Sequence, residues 1–236
     1  MRVIVPMMIL IMITSILSGC TSQLDEVSDL EIDLEPRENT NITMEISYVP
    51  RGMNDSNRSN VNVMIELYAE EAPYHVDSFI THIDSGNYND IIFHRIIDNF
   101  MIQGGDIEGL NGYGGYAANW YGYCNGEQAT SNESCSNVDW TLPDEANNGL
   151  THTPGALSMA KTSAANTGGS QFFIVPSDSS PNHLNGVHTV FGYVTSGLDH
   201  IDMISEVETG SNDRPLYDCL LYTSPSPRDL STSRMP

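Results

Sequence analysis

Residues 93–106 read Phe-His-Arg-Ile-Ile-Asp-Asn-Phe-Met-Ile-Gln-Gly-Gly-Asp. Two apolar runs, 91–97 and 100–103, flank a turn at Asp98-Asn99 and predict two strands. Gly104 and Gly105 then end the pattern. Arg95 sits inside the first run, between Phe93 and the pair Ile96 and Ile97. From Ser59 to Asp213 the chain holds only two cationic side chains, Arg95 and Lys161. In so acidic a chain, a guanidinium in apolar surroundings points to a specific task. The plainer alternative is an arginine on the wet face of a strand, paired with Asp98 or Asp106. His94 should face the opposite side of the strand and is read as structural.

Working outward, residues 43–49 and 61–68 alternate apolar and polar and read as a strand pair joined by a polar loop. Ala72-Pro73 marks a helix entry, after which Val76, Phe79, Ile80 and Ile83 fall on one face. Residues 155–161, 171–175 and 189–194 read as further strands. Leu198, Ile201, Ile204 and Val207 give a second amphipathic helix. About seven short strands, two helices and many Gly-rich turns argue for a mainly β chain built as a closed antiparallel barrel with helices at its ends.

Nine Lys+Arg against 31 Asp+Glu give a formal net charge of −22. Phosphate binding needs a basic face, so nucleic acid is excluded as a partner. Residues 3–17 are almost entirely apolar, too short for a membrane span and suited to a signal-peptide core. The run ends Leu17-Ser18-Gly19-Cys20, which resembles the lipobox of secreted lipoproteins. That resemblance implies a signal peptide over 1–19, lipidation of Cys20 and an extracytoplasmic, membrane-anchored protein; a plain secretory signal or an uncleaved anchor is the alternative. Residues 20–41 are acidic and polar and read as a flexible tether. Residues 110–142 form a Gly/Tyr- and then Asn/Ser-rich insertion. Cys124 and Cys135 lie within it, and an oxidising compartment favours a disulfide between them.

Rival chemistries lack their patterns. Ser158 and Ser170 are in no Gly-x-Ser-x-Gly context. The histidines show no metal-ligand spacing, so neither a metal nor a cofactor is expected.

Phe93-His-Arg-Ile-Ile with Phe100-Met-Ile-Gln-Gly-Gly-Asp, Gly155-Ala-Leu-Ser-Met-Ala, Gly169-Ser-Gln-Phe-Phe-Ile and Val190-Phe-Gly resemble the cyclophilins. The resemblance runs from about residue 43 to residue 217. It implies an eight-stranded barrel capped by two helices, peptidyl-prolyl cis-trans isomerase activity, and a groove on the outside of the barrel. By the same resemblance Arg95 is the catalytic residue. Phe100, Met101, Phe173, Leu184 and His188 receive the proline ring, and Gln103 and Gln171 are the polar groups beside it. The backbone of Lys161, next to Ala160, holds the substrate carbonyl. Lys161 stands where the family usually has asparagine, and His183 where many members have tryptophan. The implied partners are Pro-containing polypeptides, exported ones among them, bound by a monomer. A Pro-peptide-binding module without turnover is the alternative.

On this expectation the cyclophilin-like domain covers 42–218, and the family would close its barrel with a strand after Tyr217. Residues 219–236 instead carry prolines and a Ser/Thr run, and read as a non-native tail unable to supply a central strand, with brief pairing of Leu220–Tyr222 at the barrel edge as the alternative.

Overall fold

The computed structural model describes Leu34 and residues 37–225. The signal peptide, Cys20, most of the tether and residues 226–236 lie outside the described residues. The first two strands, β1 (Thr40–Tyr48) and β2 (Ser59–Leu67), pair antiparallel, with Met44 opposite Val63 and Ile42 opposite Ile65. Alternate side chains of both point inward, so Ile42, Met44, Ile46, Val63, Ile65 and Leu67 are all buried. The end of the tether is tied to this body: Arg37 Nε donates to Asp77 Oδ1 at 3.0 Å.

Helix α1 (Pro73–Asp84) follows, with Val76, Phe79, Ile80 and Ile83 buried. Ala72 offers no side-chain cap. Glu145, distant in sequence, replaces it, accepting from the N–H groups of Tyr74 at 3.2 Å and His75 at 3.1 Å. A carboxylate there also suits the positive end of the helix dipole. The remaining elements are β3 (Ile91–Ile92), β4 (Arg95–Ile97), β5 (Met101–Gly104), β6 (Tyr123–Cys124), β7 (Glu127–Gln128), β8 (Trp140–Thr141), β9 (Ala156–Met159), β10 (Phe172–Ile174), β11 (Val190–Ser196), α2 (Leu198–Ser205) and β12 (Leu220–Pro225).

Nine strands form one sheet in the order β3-β12-β1-β2-β11-β9-β10-β5-β4. The sheet is mainly antiparallel and curled, as expected, but it counts nine segments, not eight. The extra one arises because the run 91–97 is broken. β3 pairs with β12 at one end of the sheet and β4 with β5 at the other. The two outermost strands are therefore consecutive in the chain, and Phe93 and His94 join the edges.

That break also shifts the inside–outside phase. Ile91 and Phe93 point into the central core, and so does Ile96. An unbroken strand would have sent residues 91, 93 and 95 the same way. The slip of one position at His94 turns Arg95 and Ile97 outward, and Ile97 packs on a separate apolar cluster on the outer face.

The expectation that no closing strand follows residue 218 is overturned. β12 pairs with β1 from Leu220 opposite Ser47 to Pro225 opposite Ile42. Cys219, Leu221 and Thr223 are buried in period-2 alternation. Pro225 falls only at the strand's end, so the missing N–H of proline does not interrupt the ladder. The folded body thus runs from Thr40 to Pro225 instead of 42–218.

The insertion carries its own small sheet, in the order β7-β6-β8. Cys124 and Cys135 are disulfide-bonded within it. Ala117, Tyr121 and Leu142 are buried against the barrel core, and Leu142 N–H donates to Gly168 O at 2.8 Å. No helix among the described residues is long and apolar enough to cross a membrane.

Candidate active site

Registers across four strands set one row of the outer face. Arg95 on β4 lies opposite Gln103 on β5, Gln103 opposite Phe173 on β10, and Phe173 opposite Ser158 on β9. Inward neighbours in the same strands (Ile96, Ile102, Phe172) fill the core. The outer cluster is built on Met101, Ala156, Phe173, Val175 and Val190, with Phe100, Ala160 and Leu184 packed on it. Phe100 stacks on His183 with ring centroids 6.1 Å apart. Phe173 stacks on His152 at 5.6 Å and meets His188 edge-on at 5.9 Å. Met101 and Phe173 form a buried floor, while Phe100, Leu184 and His188 are half-buried. The residues expected to receive a proline ring therefore share one apolar wall beside Arg95.

The side chain of Arg95 is 40% exposed. Its nearest carboxylate is Asp213, with Nε 3.5 Å from Oδ2, so neither Asp98 nor Asp106 is its partner. Asp106 is buried and serves the backbone instead. Its Oδ1 accepts from the N–H groups of Glu108 and Gly109, both at 3.0 Å, and its Oδ2 from Asn111 at 2.9 Å and Gly112 at 2.8 Å. Burial pushes this carboxyl up, but those N–H bonds more than offset it and hold its pKa at about 2. The carboxylate thereby fixes the glycine loop 112–115.

Gln103 and Gln171 are brought together as expected: Gln103 Nε2 donates to Gln171 Oε1 at 3.0 Å. Gln171 Nε2 in turn donates to Gly112 O at 3.0 Å and Gly114 O at 2.6 Å. Gly112 has a φ of 88°, and a Cβ there would meet His94 Cδ2 at 2.9 Å. Glycine is thus required where the loop crosses the buried His94. His94 is structural in this sense. It lies at the strand break, and burial lowers its pKa.

Lys161 departs from the family pattern without intruding on the groove. Its side chain is only 4% exposed, with Nζ 3.4 Å from Asp144 Oδ2 and donating to Ala164 O at 3.0 Å. Its main-chain N–H and C=O have no partner among the described residues. A passing peptide can use both. A cavity of about 290 Å³ opens here, lined by Gln103, the glycine loop, Ala160, Lys161, Thr162 and Gln171. Tyr113 stands on its rim, 94% exposed.

Two supporting residues gave no signal in the sequence. His152 is buried behind Phe173, with Nδ1 2.8 Å from Asn185 Oδ1 and Nε2 2.9 Å from Ser158 Oγ. Asp213 reaches Arg95 from more than a hundred positions away. Both contacts are made by isolated polar residues in loops, which no periodicity marks. Among the described residues no group of three or more His, Cys, Asp or Glu is arranged to hold a metal ion.

The sequence profile of the family described as cyclophilin type peptidyl-prolyl cis-trans isomerase/CLD matches residues 53–224. The chain is similar to peptidyl-prolyl cis-trans isomerase 9 of Schizosaccharomyces pombe, 44% identical over 156 residues, 66% of this chain and 22% of that protein. It is also similar to peptidyl-prolyl cis-trans isomerase-like 1 of Gibberella zeae, 40% identical over 158 residues, 66% of this chain and 83% of that protein. The crystal structure of a cyclophilin type peptidyl-prolyl cis-trans isomerase from Cryptosporidium parvum superposes with a TM-score of 0.62 at 23% identity, covering 80% of this chain and 98% of that one. A structure of the same protein in the presence of the dipeptide Ala-Pro gives 0.58 at 25% identity, covering 77% and 98%. With an outward arginine beside an apolar wall, and a profile match spanning most of the chain, the protein belongs to the cyclophilin-type peptidyl-prolyl cis-trans isomerases, the enzymes of class EC 5.2.1.8.

Proposed function

We propose that this chain turns X-Pro bonds of exported polypeptides between cis and trans at the groove beside Arg95. Amide resonance makes the barrier ~18–20 kcal/mol, so X-Pro bonds exchange over tens of seconds or more. No nucleophile or proton shuttle is needed; the groove must bind the twisted amide better than either planar form. In the twisted state the prolyl nitrogen regains its lone pair, and the Arg95 guanidinium donates an N–H to it. Arginine suits the task because it stays charged and its planar fork is rigid. The wall of Phe100, Met101, Phe173, Leu184 and His188 seats the ring and excludes water, which strengthens that hydrogen bond. The free main-chain groups of Lys161 align the preceding segment. A gain of about 10⁵ in rate requires about 7 kcal/mol of differential stabilisation.

The carrying observation is an exposed, loosely paired guanidinium within two strands of an apolar floor of Met101 and Phe173 on the same outer face. The Ala-Pro dipeptide used with the Cryptosporidium protein has the chemistry this floor would accept. Burial of the Lys161 ammonium removes one motive for a binding-only role, since no extra charge stands in the groove. A proline-peptide isomerisation assay tests the proposal: Arg95→Ala should lower kcat/KM about 10²–10³-fold, the usual loss of one preorganised donor. An unchanged rate would leave only the peptide-binding module. Anchoring through lipidated Cys20 is part of the same proposal, and Cys20→Ser should move the protein from the membrane fraction to the soluble one.

A further inference from the structure

Building on that role for Arg95, we propose that Asp213 is a positioning residue for the reaction, holding Arg95 by its Nε edge and so narrowing the rotamers that its guanidinium samples. β4 is only three residues long, and the arginine side chain leaving it has no hydrogen bond to any described residue. Beside it lies an open cavity of about 570 Å³. An unrestrained guanidinium has ample room to wander there. Among the described carboxylates only Asp213, which lines the same cavity, pairs with it, and Oδ2 at 3.5 Å from Nε limits how far the guanidinium strays. Arginine carries high rotamer entropy, so even a loose tether raises the fraction of time spent in the productive orientation.

The backbone fixes where Asp213 stands. It lies in the turn Ser211–Asp213, where Asn212 and Asp213 have φ of 60° and 58°. Asparagine and aspartate are the residues other than glycine that enter the left-handed region most readily, and two in succession hold where surrounding structure imposes them. Here Gly210 N–H donates to Arg214 O at 2.8 Å across the turn. The Arg214 guanidinium pins the next residue, donating to Leu110 O at 3.0 Å and Asp218 Oδ1 at 3.1 Å. The turn is thus fastened on both sides, and its one carboxylate free of backbone duty is aimed at Arg95.

Asp213→Asn tests this cleanly, because asparagine keeps the shape and tolerates the left-handed backbone. Isomerisation of a chromogenic Xaa-Pro peptide should show kcat lowered about two- to five-fold with KM unchanged, the scale of a half-exposed ion pair. Wild-type kcat should fall toward the variant's as NaCl is raised to about 1 M, where screening acts within about 3 Å, while the variant responds less. The Arg95 Nε–H resonance in the nuclear magnetic resonance spectrum should move in the variant. An unchanged kcat, a change confined to KM, or an unmoved Nε–H signal overturns the inference. If Arg95→Ala is inactive while Asp213→Asn is silent, the inference alone fails; if Arg95→Ala is fully active, the role of Arg95 fails and this inference with it.

Discussion

Phe172 and Phe173 are adjacent on β10 and belong to different regions. Phe172 is sealed in the barrel interior, edge-on to Phe79 at 5.4 Å and Tyr88 at 5.7 Å. Phe173 floors the outer wall between His152 and His188. Both are apolar and both are buried, so hydrophobicity does not separate them. What separates them is their neighbours: the interior ring touches hydrocarbon and aromatic partners, and the outer ring is flanked by imidazoles on the outer face. The interior makes the fold, and the outer wall makes the candidate site.

Substitution should split the pair. Phe172→Ala should cost about 3–5 kcal/mol of stability, read in urea unfolding. Phe173→Ala should cost about 1–3 kcal/mol, because water can reach the gap from the groove, while KM for a proline peptide rises. Equal stability losses with an unchanged KM would erase the distinction.

The same contrast is set one strand over. Ile96→Ala should remove about 2–4 kcal/mol and leave kcat nearly intact. Arg95→Ala should do the reverse, leaving the melting midpoint in place while turnover collapses. A large drop in melting temperature for Arg95→Ala would show that the guanidinium is structural.

A smaller effect concerns the frame of the groove. The Asp106 carboxyl has a folded pKa of about 2 against an ordinary 3.8. Its contribution is therefore complete above about pH 4 and is lost as pH falls toward 2. Stability should decline across that window, and Asp106→Asn should flatten the decline. A decline of the same depth in the variant would assign it to other carboxylates. The smallest effect is expected at the insertion. Reducing Cys124–Cys135 should speed amide exchange in β6, β7 and β8 and leave the main unfolding transition in place, because the closed loop lies outside the barrel sheet.

Much of the barrel was legible because its long strands alternate and α1 repeats on one face. The positions expected to form the site were marked by ordered motifs, and the structure gathers Arg95, Gln103, Gln171 and the apolar wall on one face. The break at Phe93 and His94 was not legible, since apolar residues flank it on both sides and no glycine or proline marks it. β12 was obscured by the prolines that end it, although Cys219, Leu221 and Thr223 alternate correctly. The insertion's strands are two residues each, too short for any period to show. Asp213 meets Arg95 only through tertiary folding.

The joint between β3 and β4 imposes a rule on length. The insertion absorbs some thirty residues at the rim without disturbing the sheet. Between Ile92 and Ile96, by contrast, the phase rests on a slip of one position. The same residues run as one unbroken strand would drive a permanent cation into hydrocarbon and swing Ile96 into water. Parity at that hinge, more than any contact around it, decides whether the charge is wet.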